Sequence, residues 1–215
     1  MDGGSAGDYF SQYGEQAAMR NIVGKLLKFS KGDYMAGENN EDIPEGTEVL
    51  ANMETLAVGW IKWEDNKPVE QLMGLVCEGF QPPKRNTLDA TDETLWETDD
   101  QTGQPRDPWQ FTNQLVMKEP GGDQLYTFST SSRGGINAMG ELCKVYGKHF
   151  RSAPDAMPVV SLDVGSYMHS NKAFGKIKFP ILTVKGWMPK TEFSDPQGEL
   201  LPESTAQKVL TDTRF

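Results

Sequence analysis

The stretch "YMHSNKAFGKIK", residues 167–178, sets Tyr167, His169, Lys172, Phe174, Lys176 and Lys178 within twelve positions. Cations interleaved with aromatic rings can hold single-stranded nucleic acid. Ammonium groups meet phosphates, and rings stack on unpaired bases at about 1–3 kcal/mol per base. Lys176 and Lys178 alternate with Ile177 and Phe179, so on a strand both lysines share one face. A second basic group surrounds "YTFSTSSRGGINAMGELCKVYGKH", residues 126–149, where a strand runs through a Ser/Arg/Gly turn into a helix. The candidate phosphate contacts are Arg133, Lys144, Lys148, Lys172, Lys176 and Lys178. The candidate stacking platforms are Tyr167, Phe174 and Trp60. Two blander readings compete. The basic residues can be a solvated face that balances acid elsewhere, and "SSRGG" can be an ordinary turn rather than a phosphate grip at a helix start.

Charge is distributed unevenly enough to keep the nucleic-acid reading open. The 215 residues carry a formal net charge of -10, which argues against a polyanionic partner for the whole chain. Residues 38–107, however, hold 17 acidic and five basic side chains, whereas residues 133–190 hold three acidic and nine basic. The last 25 residues return to acid. An acidic half, a basic segment and an acidic tail follow one another.

Other chemistries find little support. Cys77, Cys143, His149 and His169 can be written as a zinc set, but no two have the close spacing of a metal knuckle. Two buried thiols and two surface histidines are the expected alternative, with no metal and no cofactor. No P-loop or GxGxxG is present, and the one GxSxG pattern, Gly3 to Gly7, lies in the small, polar N-terminal stretch with no apolar strand before it to make a nucleophile elbow. "DATDETLWETDD" has carboxylates that could hold a divalent cation, in a segment with little apolar support. The chain is therefore expected not to be an enzyme.

The elements that must position these residues are mostly strands. "IVGKLLKFSKGDYMAG" is expected as one strand, with a short helix as the alternative. "TEVLANMETLAVGWIKW" and "QLMGLVCEGF" are expected as strands of a hairpin around "EDNKPVE". "WQFTNQLVMKEPGGDQLYTFSTSS" is the clearest hairpin, turning at "EPGGD". "GGINAMGELCKVYGKHF" is the one helix. Ile136, Met139, Leu142, Cys143 and Tyr146 recur at helical spacing, and Ser131 and Ser132 supply the cap. "MPVVSLDV" and "GKIKFPILTVKGW" are the last strands. The domain plan is a flexible arm at 1–19, one β-rich domain at 20–189 with an insertion loop at 81–108, and a flexible acidic tail at 190–215. The fold class is mainly β, a β-rich α+β. Strand order with one helix before the last two strands suits an OB-like barrel, and a β-sandwich is the alternative. No apolar run reaches the roughly 20 residues a membrane helix needs, and the N-terminus lacks signal-peptide features.

"KGDYMAGENNEDIPEGTEVLANMETLAVGWIKWEDNKPVE", "DPWQFTNQLV" and "YTFSTSSRGG" resemble an uncharacterised protein of tailed phages and prophages of Gram-negative bacteria, over residues 24–187. That resemblance implies a protein made in the bacterial cytoplasm, from a replication or recombination region. It assigns no catalytic residue. The ending "LPESTAQKVLTDTRF" is similar to the tails of OB-fold single-stranded-DNA-binding proteins, which are acidic and end in Phe; here Arg214 precedes Phe215 and there is no dense Asp run. The resemblance implies recruitment of replication or recombination proteins through the tail. The leading expectation is a non-enzymatic single-stranded-DNA-binding protein that coats DNA, with further copies of the chain left open as partners and no membrane. The alternative is a protein-interaction module, a virion component or inhibitor of a host enzyme, that works through its acidic 38–107 surface.

Overall fold

Turn chemistry decides the first element. β1 (Lys25–Ser30) and β2 (Asp33–Ala36) form an antiparallel hairpin closed by Lys31 and Gly32, both at positive φ, 54° and 100°. Paired positive-φ residues give a two-residue turn whose twist matches the strands. "SKGD" therefore folds the expected single strand back on itself. The computed structural model describes residues 22–98, 103–170 and 175–193. The expected arm at 1–19 and the tail beyond residue 193 lie outside them.

Short strands β3 (Glu41–Ile43) and β4 (Glu48–Ala51) follow. β5 (Ala57–Glu64) and β6 (Lys67–Leu75) form the expected hairpin, turning at Asp65 and Asn66 with φ of 51° and 59°. The insertion carries a two-residue pair, β7 (Glu97–Thr98) with β8 (Pro105–Arg106). β9 (Trp109–Lys118) and β10 (Leu125–Thr130) flank "EPGGD" as expected. Helix α1 (Arg133–Phe150) leads to a long closing hairpin, β11 (Ala156–Met168) with β12 (Lys176–Pro189).

Ten strands make one mixed sheet, in the order β12-β11-β4-β9-β10-β1-β2-β3, and β1 lies parallel to β10. The sheet forks at β9. One edge of β9 pairs β10; the other pairs β5 through residues 109–114 and β4 through 117–118. The protein is mainly β, with one α-helix among the described residues, as its sequence leads one to expect. The sheet curls around a single core. Tyr34 of β2 is 1% exposed, and its hydroxyl donates between the carbonyls of Asp163 (3.1 Å) and Ile181 (3.3 Å) on the closing hairpin. Leu27, Leu50, Leu115, Met117, Phe128, Val160 and Leu162 fill the space between.

α1 packs on β12, β11 and β9. Ser132 caps it by accepting from the Gly135 N–H at 3.1 Å. Gly135, Ala138, Met139 and Leu142 are buried; Ile136, Cys143 and Tyr146 are half-buried. The chain does not end its packing at Pro189. Residues Lys190–Phe193 form a 3-10 turn that buries Phe193 in the core and pairs Lys190 with Glu54. Among the described residues no helix is long and apolar enough to cross a membrane.

Candidate nucleic-acid interface

β4 pairs β11 only at Val159–Ser161. Beyond Gly165, the sole strand partner of β11 is β12, and the two continue as a ribbon. Ser166 faces Lys178 and Met168 faces Lys176; Gly165 faces Phe179 and Tyr167 faces Ile177. Cross-strand partners share a face and successive pairs alternate. Lys176, Lys178 and Met168 therefore occupy one face, and Tyr167 and Phe179 the other. The expected sharing of one face by the two lysines holds. The grouping of lysines with Tyr167 in one groove does not: strand register puts the ring across the ribbon from them.

The aromatic face is a row of three rings. Phe179 and Tyr167 lie 6.1 Å apart by centroid, and Tyr167 and His169 lie 6.5 Å apart. The Phe179 ring crosses Gly165, where a Cβ would come within 2.4 Å of it. Only glycine lets that ring lie against the strand. Tyr167 stands 51% exposed at the centre of the row. Phe179 is the residue that sequence reasoning passed over as a platform. Its signal was the "GKIKF" alternation, which gives no hint that Gly165 sits opposite.

The N-terminus of α1 meets this row. A Cβ on Gly134 would lie 2.9 Å from the Phe179 Cβ, so Arg133 begins the helix beside the base of the ribbon. Arg133, Lys176 and Lys178 are exposed. Lys178 reaches Asp33 of the β1–β2 turn only at 4.0 Å. Among the described residues Arg133, Lys148, Arg151, Lys176 and Lys185 form no ion pair. Two carboxylates of the acidic insertion are taken up close by, by Arg85 of the insertion and Lys62 of β5. Asp107 takes Arg85 at 2.7 and 2.8 Å, and Asp89 takes Lys62 at 2.7 Å. Among the described residues, the ion pair that joins the basic segment to the acidic 38–107 region is Lys190 with Glu54.

The remaining sequence candidates fall elsewhere. Lys144 and Lys148 lie 11 and 15 residues along the helix from Arg133, roughly 16 and 22 Å at 1.5 Å per residue. Lys144 pairs with Glu141 at 2.6 Å. They sit toward a second aromatic group, where His149 stacks on Trp187 at 3.5 Å and Tyr146 at 6.4 Å. Trp60 is not a free platform. Its indole donates to the Pro83 carbonyl at 2.8 Å and its ring meets Phe111 edge-on, so it fastens the insertion. Lys172 and Phe174 lie outside the described residues.

The insertion is better supported than its composition suggests. Arg85 also donates to the carbonyls of Asp89 and Ala90, and the Trp109 indole donates to Asp89 at 2.6 Å. These bonds hold the Asp89 carboxyl below its ordinary range, with the Lys62 bond the largest cause and the Trp109 bond next. Its carboxylates nevertheless do not gather: among the described residues no three His, Cys, Asp or Glu side chains are grouped as a metal would need. The four residues of the zinc alternative are likewise not assembled. Cys77 is exposed rather than buried, and Cys143 is half-buried, with its thiol pushed up by burial. No protein-family model, no curated protein and no solved structure matches the chain.

Proposed function

We propose that this chain binds single-stranded DNA along the β11–β12 ribbon and the adjoining start of α1. The observation that carries the reading is the row Phe179–Tyr167–His169 beside the exposed cations Arg133, Lys176 and Lys178, of which Arg133 and Lys176 form no ion pair among the described residues, in a chain of net charge -10. Each base offers a face to an exposed ring, which favours an unpaired strand over a duplex. β12 is the sheet's edge strand, so Lys176 and Lys178 can extend their stems past that edge to phosphates of a strand stacked on the opposite face. Arg133 takes a further phosphate at the helix start. A role for such coating in replication or recombination is part of the proposal, and the resemblance of the sequence to phage proteins supports it.

Fluorescence anisotropy with a labelled oligo-dT tests the assignment. Tyr167→Ala should weaken binding by about 1–3 kcal/mol, the worth of one stacked base. Lys176→Glu with Lys178→Glu should weaken it further, and neutralising the insertion at Asp92 and Glu93 should not weaken it. Binding indifferent to Tyr167 and both lysines, yet lost with the insertion acids, would transfer the function to the acidic surface.

A further inference from the structure

The insertion and the end of β5 enclose a cleft of about 540 Å³, a size that accepts a few side chains. Trp63, Trp96 and Pro108 supply apolar wall. Leu95, at the mouth, is 81% exposed, the highest among the large apolar side chains described. Glu64, Asp92 and Glu97 stand exposed at the rim. Two cations also line the cleft. Lys62 is shared between Asp89 at 2.7 Å and Glu64 at 3.6 Å, and Arg106 donates to Asn66 at 3.3 Å and keeps its charge. The charged lining, three carboxylates against two cations, is acidic on balance. The walls are fastened before any partner arrives, by Arg85 on Asp107, Trp109 and Lys62 on Asp89, and the Trp96 indole on the Ala90 carbonyl. Preorganisation of this kind lowers the ordering cost of docking.

An apolar mouth with an acidic rim asks for an apolar side chain set among cations. The β11–β12 ribbon has that form: Met168 is 71% exposed, directly opposite Lys176, with Lys178 on the same face. We infer that a second copy of this chain docks its ribbon in the cleft. Met168 enters against Leu95 and Trp96, and Lys176 and Lys178 meet Glu64, Asp92 and Glu97. The two surfaces differ, so the contact is heterologous and a growing assembly keeps one free ribbon at one end and one free cleft at the other. The contact would draw on Lys176 and Lys178, the cations also assigned to phosphates, but it does not rest on DNA binding and is tested without DNA.

Sedimentation velocity over a concentration series provides the test. Wild-type protein should self-associate at low salt, and association should weaken by about tenfold or more when salt screens the contact to ~0.3 M. Lys176→Glu with Lys178→Glu should be monomeric, as should Glu64→Lys with Asp92→Lys. An equimolar mixture of the two should form a 1:1 complex, because one retains the cleft and the other the ribbon. Met168→Asp and Leu95→Asp, single exposed changes, should reproduce the two monomeric behaviours if either double variant misfolds. A wild-type chain that stays monomeric at low salt, an assembly that survives either reversal, or a mixture that does not associate would overturn the proposal.

Discussion

The Tyr146 hydroxyl shows how a single atom sets local stability. It is buried with no hydrogen-bond partner among the described residues, while its ring packs beside Phe150 and Trp187. An unsatisfied buried hydroxyl costs about 1–3 kcal/mol, and removing it leaves the ring in place. Tyr146→Phe is expected to raise the urea midpoint by an amount equivalent to about 1 kcal/mol; a lowered midpoint would show that the hydroxyl is satisfied in solution. At Asp89 the balance is electrostatic. Its folded pKa lies below the ordinary 3.8, chiefly through the Lys62 and Trp109 bonds. Its contribution is present above the unfolded value and is lost as pH falls through the lowered folded value. Loosening of the insertion is thus expected below about pH 4, followed by the fluorescence of Trp96 and Trp109. Asp89→Asn should bring the loosened signal to neutral pH, and an unchanged acid titration in that variant would remove Asp89 from the account.

Helix α1 and its turn carry the argument at the scale of elements. A Cβ on Gly135 would fall 1.9 Å from the Thr130 Oγ1, whereas one on Gly140 meets nothing within 4 Å. Gly135→Ala should cost about 1–3 kcal/mol by overpacking, and Gly140→Ala should stabilise by about 0.5–1 kcal/mol through helix propensity. Thermal melts of the pair check both signs, and equal shifts would contradict the packing. The helix, the "EPGGD" hairpin and the β5–β6 hairpin were legible because periodicity and turn residues are local. The β1–β2 hairpin was missed because "KG" is a weak turn signal beside five apolar residues. The ribbon's alternation was legible, but its faces were not. Which residue lies opposite Tyr167 or Phe179 depends on pairing across strands, and a period-2 pattern in one strand does not fix it. Trp60 failed as a platform for a related reason: its indole partner, Pro83, lies 23 residues away. The anchoring of the insertion was illegible too, since Arg85 and Asp107 meet across 22 residues of polar chain.

Across the whole molecule, charge is separated rather than averaged. Asp89 and Asp107 of the acidic insertion pair with Lys62 of β5 and with Arg85, and the cations of the ribbon and helix start are exposed. The central claim is that these open cations meet phosphates, and the salt dependence of oligo-dT binding by the wild-type chain tests it most directly. For single strands the slope of log K against log salt is about -0.7 per phosphate contact, so Arg133, Lys176 and Lys178 together give a slope of about -2. Binding at low salt with a slope near that value is the result expected. No binding at low salt, where the ionic attraction is largest, or binding whose strength does not change with salt, would contradict the claim.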